Sequence, residues 1–141
     1  MFTTPIVPVA TLADKFGEPL VDISYVAADA LLFLRWRGHV TADEIVRVAR
    51  EGRKYRARYA YRRILNDKRA ASGDWSEALP WMQFEWAPRA VAFGIRAMAD
   101  IVSPQIGYVP VNEAFAQAVR GQLPVAVFTD EAEALRWIRA Q

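Results

Sequence analysis

Few side chains in this sequence can do chemistry, and those few gather where strands are expected to end. There is no cysteine and a single histidine, His39. That excludes thiol catalysis and disulfide switching, and a structural zinc site would need several Cys or His ligands. No metal or cofactor is therefore expected. No glycine-rich phosphate loop of the GxGxxG or GxxxxGK[ST] kind occurs, so nucleotide binding through such a loop has no support. What remains is polar and dispersed. Asn66, Asp67 and Lys68 close one apolar run, Ser103 and Gln105 follow a second, and Thr129 ends a third. Open α/β sheets bind ligands outside the carboxyl ends of their strands, which makes these residues, with Ser72 just downstream, the candidate ligand or partner site. The same residue types also cap turns and helices for backbone reasons alone.

No catalytic residue is assigned. His39 follows Gly38 at a strand exit, with no Ser-His-Asp set or carboxylate pair recognisable around it, and reads as a turn histidine. An enzyme would need Asp67, Lys68, Ser103 and His39 to converge. Asp29, Asp43, Glu44 and Asp74 sit at turns or helix starts, where a carboxylate complements free backbone N–H groups. Asp100 is different, because it interrupts an apolar strand run. Facing inward it would need a partner or a raised pKa; an outward edge position is the simpler expectation.

Two larger constellations stand apart from the strand ends. Trp75, Trp81, Phe84 and Trp86, with Met82 and Phe93, form an aromatic segment broken by Pro80 and Pro88. It reads as core or subunit interface, and alternatively as an apolar groove. The second is charge. Residues 47–69 hold ten cations against Glu51 and Asp67, a net +8 that leaves −6 for the rest of a chain whose total is +2. Arg47, Arg50, Lys54 and Arg58 form a basic face opposite the apolar stripe of one helix. Tyr55 and Tyr59 lie on the buried stripe, so nucleic acid could be held only by phosphate contacts, which argues against it as a partner.

The elements that must position these groups follow from periodicity. The chain has 141 residues, 53% apolar, with seventeen aromatics, enough for one ordered domain. Residues 1–20, interrupted by Pro5, Pro8 and Pro19, read as an extended arm ahead of a domain over 21–141. Strand-like runs at 21–27 and 31–37 form a hairpin. Thr41 and Glu44 open a helix with a capping box. A short strand at 63–67 leads into a loop at 68–74, and 75–94 is mainly helical. A strand at 97–102, a helix from 111 to 120, a strand at 124–129 and a helix capped by Asp130 and Glu133 complete the order ββαβαβαβα. Strands alternating with helices imply a mixed, mostly parallel sheet with about four helices, an α/β fold. No positive n-region or apolar run of membrane length is present, so a cytoplasmic protein without membrane insertion is expected.

The layout resembles the SpoIIAA-like branch of the STAS family, the fold of anti-sigma-factor antagonists. Three stretches carry the likeness, which spans roughly residues 20–140: Gly38-His39-Val40-Thr41-Ala42-Asp43-Glu44, Leu65-Asn66-Asp67-Lys68-Arg69, and Val127-Phe128-Thr129-Asp130-Glu131-Ala132-Glu133-Ala134-Leu135-Arg136-Trp137. The phosphorylated antagonists carry "DSSG" after the central strand. Here Asn66-Asp67-Lys68-Arg69-Ala70-Ala71-Ser72-Gly73 has no Ser directly after Asp67, so the phosphorylation switch does not carry over. The resemblance implies a non-enzymatic regulatory or protein-interaction domain, its partner another protein or a second copy in a homodimer. Relatives likened to CRAL-TRIO lipid-binding domains imply the alternative, a carrier of a small apolar molecule.

Overall fold

The computed structural model of the protein describes residues 2, 4–104 and 110–141. Six strands form a single sheet in the order β1-β2-β3-β4-β5-β6. They are β1 (Val7–Ala13), β2 (Pro19–Val26), β3 (Leu31–His39), β4 (Arg63–Ser72), β5 (Ala97–Ile101) and β6 (Val125–Phe128). The first two pairings are antiparallel and the other three parallel. Each parallel step needs a crossover, and the helices supply it. These are α1 (Ala42–Lys54), the broken run of α2 (Leu79–Trp81) and α3 (Ala87–Phe93), and α4 (Val111–Ala118); α5 (Glu131–Arg139) follows β6. The mixed, mostly parallel α/β architecture is the one the sequence implies.

Two expectations need adjusting. The segment read as an extended arm packs on its own domain as β1, the edge strand of the sheet. Pro8 is accommodated because β1 is an edge strand with a register shift between Pro8 and Ala10, and Pro19 is the first residue of β2. The turn between them is built by Asp14, whose carboxylate accepts from the N–H groups of Phe16 and Glu18, with Gly17 at φ 85°. The second correction concerns 68–74. β4 does not stop at Asp67 but runs to Ser72, its last residues pairing with Arg37, Gly38 and His39 of β3. Asn66, Asp67 and Lys68 therefore lie inside a strand rather than at its carboxyl end.

That extension decides which way each side chain points, since successive residues of a strand face opposite sides. Ile64 packs in the larger core cluster with Leu32, Leu34 and Trp36 of β3, Met98 of β5, and Ile45, Val48, Met82, Trp86 and Phe115 from the helices. Leu65 packs in the second cluster with Phe33, Ala99, Ile101 and the α5 residues Ala134, Leu135 and Ile138. Thus α1, the α2–α3 run and α4 cover one face, and α5 covers the other. Asn66 and Lys68 follow Ile64 to the first face; Asp67 and Arg69 follow Leu65 to the second. Pro80 and Pro88 each fall in the first turn of a short helix, where a missing N–H costs nothing, and a π-helical turn at Met82–Trp86 joins the two.

Candidate functional site

On the first face, Asn66 of β4 sits opposite Asp100 of β5 in the parallel register. Trp36 Nε1 donates to Asn66 Oδ1 at 3.0 Å, and Asn66 Nδ2 donates to Asp100 Oδ1 at 3.0 Å. Two positions along β4, the Lys68 amine donates to Asn112 Oδ1 at 2.8 Å and lies 3.6 Å from Asp100 Oδ2. The amine also stands over the rings of Trp75, at 4.7 Å, and Trp36, at 6.0 Å. Three strands and the start of α4 thus hold one polar chain, from the Trp36 indole through Asn66 and Asp100 to Lys68 and Asn112.

This chain borders a cavity of about 70 Å³. Its other walls are apolar, including Ile45, Val48, Met82, Met98, Phe115 and the buried Trp75 and Trp86. Asp100 is 0% exposed, and its Oδ2 has no hydrogen-bond donor. A buried carboxylate oxygen in that state costs stability unless something occupies it. Burial pushes the Lys68 amine below the ordinary lysine value, with the Asp100 charge pulling the other way. An apolar cavity with one donor-rich and one acceptor-rich group at its end is a site for a compact molecule with a polar head.

The structure divides the residues expected to act together. Lys68 lines the cavity, with Asn66. Asp67 is on the opposite face, where Arg69 binds it through Nε at 2.9 Å and Nη2 at 2.8 Å, and Arg69 also reaches Glu131 at 2.6 Å. Burial alone would raise the Asp67 pKa, but the bonds and charge of Arg69 outweigh it and hold the carboxyl below its usual value. Ser72 ends β4 in an exposed position, and Thr129 is exposed ahead of the α5 cap Asp130. Ser103 is not among the cavity walls. Gln105 lies outside the described residues. His39 is the last residue of β3, exposed and paired in register with Ser72, so it sits in a strand rather than a turn. Asp67, Lys68 and His39 do not converge.

Of the aromatic segment, Trp75 and Trp86 line the cavity, while Trp81 stacks under Arg50 and Arg53 at 5.4 and 5.3 Å and Phe84 is 68% exposed. The basic face is engaged within the chain. Arg47 bonds Glu44 and the Ala13 carbonyl, Lys54 pairs with Glu51 at 2.9 Å, and Arg58 lies over Tyr59. Asp100 corrects the sequence reading outright. It belongs to a strand with neighbours on both sides, so no outward edge exists for it, and the partner an inward carboxylate needs is Lys68. Sequence reasoning missed Trp36 and Asn112. Trp36 could have been found from its place on the inward phase of β3, but Asn112 carried no signal.

No family model matches the chain, and no curated protein matches it. Among solved structures, it is similar to an uncharacterised protein of the DUF3478 family with a SpoIIAA-like fold from Shewanella loihica PV-4. The TM-score is 0.50 at 13% sequence identity, over 98% of each chain. Among the described residues, no helix is long and apolar enough to cross a membrane, and no cluster of His, Asp and Glu could hold a metal ion. The six-stranded mixed sheet, its helices and this end-to-end likeness together give the chain a SpoIIAA-like fold.

Proposed function

We propose that the protein binds a compact, neutral, largely apolar molecule in the cavity between β3–β5 and the helical layer, with the molecule's polar head at Asp100 and Lys68. The observation that carries this reading is Asp100 Oδ2, fully buried at the edge of an apolar cavity, with the Lys68 amine 3.6 Å away and no hydrogen bond. A hydroxyl would donate to it and accept from the Lys68 amine. Size limits the ligand. An apolar cavity of about 150 Å³ holds one benzene, so half that volume suits roughly three heavy atoms. A long acyl chain would not fit inside, which narrows the expected apolar carrier to short-chain molecules. Binding should be readable as stability: at ten times its Kd, ethanol raises the unfolding free energy by about 1.4 kcal/mol. The Ala49→Leu variant, which fills the cavity from α1, should lose that response. Equal responses from both proteins, or none from either, would refute the reading.

A second reading, a non-enzymatic regulatory domain acting through a second copy of the chain, draws on a different surface. Phe84 and Phe93 are 68% and 59% exposed and Val91 is 41% exposed, on the π-turn and α3. Both signs of charge border them, with Arg56 over the Phe93 ring and the Glu85–Arg89 pair alongside, as a self-complementary contact requires. Light scattering tests it: a dimer that dissociates in Phe84→Ser/Phe93→Ser supports the reading, and a monomer at all concentrations refutes it.

A further inference from the structure

We propose that Lys68 captures short-chain aldehydes covalently, its Nζ condensing with the carbonyl carbon to an imine inside the cavity. This rests on the ligand-binding reading of the same cavity and adds a bond to it. Imine formation needs a neutral amine, a group to move protons beside it, and little water to reverse it.

The cavity supplies all three. Nζ stands over Trp75 at 4.7 Å, next to walls formed by Trp86, Met98 and Phe115. Burial favours the uncharged amine. Of the other two lysines, Lys54 is held more basic by its hydrogen bond to Glu51, and Lys15 is exposed. Asp100 Oδ2 is 3.6 Å from Nζ and has no hydrogen bond of its own, while Oδ1 is fixed by Asn66. The proposed reaction starts from the neutral form of this pair, an amine beside a carboxylic acid, once the two groups have closed that gap.

The steps balance without an oxidant or a reductant. The Nζ lone pair forms the C–N bond to the aldehyde carbon while the C=O π pair moves to oxygen. Asp100 takes the proton that nitrogen loses and gives one to oxygen, producing a carbinolamine. Asp100 then protonates the hydroxyl, which leaves as water, and the remaining nitrogen proton returns to the carboxylate as the C=N bond forms. Amine and aldehyde have become imine and water. An aldehyde fits better than a carboxylate, because an anion would have to give up its hydration inside an apolar cavity.

The test is reductive trapping of the full chain with acetaldehyde and sodium cyanoborohydride at neutral pH, followed by peptide mass mapping. The expected result is one ethyl group on Lys68, added at least about tenfold faster than on Lys15 or Lys54. The chain's α-amino group serves as the exposed reference. Excess ethanol should slow labelling of Lys68 and leave Lys15 unaffected, and Lys68→Arg should lose the cavity adduct. If ethanol stabilises the protein but Lys68 labels no faster than Lys15 and Lys54, covalent capture is overturned and the binding reading stands. If ethanol neither stabilises nor competes, both fall.

Discussion

Asp100 and Lys68 face each other at 3.6 Å across two neighbouring parallel strands, in a cavity whose remaining walls are almost wholly apolar. The pair is incompletely satisfied, because one carboxylate oxygen has no hydrogen bond. Removing one member leaves the other charge buried alone. Asp100→Leu should therefore destabilise the fold by about 3–5 kcal/mol, whereas the double variant Lys68→Met/Asp100→Leu should recover most of that loss. Urea unfolding of the two variants and the wild type checks the ordering. A double variant no more stable than Asp100→Leu would contradict it.

The ion pair on the opposite face behaves differently with pH. Arg69 holds the Asp67 carboxyl below 3.8, so its contribution is present above the unfolded-state value and is lost as pH falls through the folded one. Asp67→Asn should cost about 1–2 kcal/mol at neutral pH, at the lower end because Arg69 is 40% exposed and partly screened. In strongly acid solution the difference from the wild type should vanish. Paired urea titrations across that range measure it.

Gly73 closes β4 against the start of α1. It has φ 106°, and a Cβ there would lie 2.3 Å from the Val40 carbonyl oxygen, on backbone that cannot turn aside. Gly73→Ala should destabilise by at least about 1–3 kcal/mol. The loss should show first as faster amide exchange at Val40, whose N–H donates to the Ser72 carbonyl at 2.8 Å.

Phe115 walls the cavity from α4 and packs edge-on to Trp75 with centroids 5.8 Å apart. Truncation to Ala should cost about 3–5 kcal/mol and enlarge the cavity by most of a ring. Benzyl alcohol, too large for the native site, should then stabilise the variant and leave the wild type unchanged in thermal unfolding.

The regular parts of this fold were legible because their patterns are local. Thr41 accepts from the Glu44 N–H and Asp130 from the Glu133 N–H, as the capping signatures require. The alternation around Leu32, Leu34 and Trp36 marks β3. What was not legible depends on partners distant in sequence. Polar residues 66–69 read as a strand end, and only pairing with Arg37–His39 shows that the strand continues. β1 was masked by Pro8, which an edge strand with a bulge tolerates. Asp100 was the clearest clue to the site, since an acid in an apolar run demands a reason. Its direction could not be settled before Lys68, thirty-two positions earlier, was seen beside it.

Occupancy of the cavity can be read from two methionines. Met82 and Met98 both line the cavity, from the helical layer and from β5. In methyl-labelled protein titrated with ethanol, both methyl resonances should shift along saturable curves with one common Kd, and Ala49→Leu should abolish the response. Methyl resonances of Met82 and Met98 that stay fixed, or that drift linearly and equally in Ala49→Leu, would show that the cavity takes no such ligand.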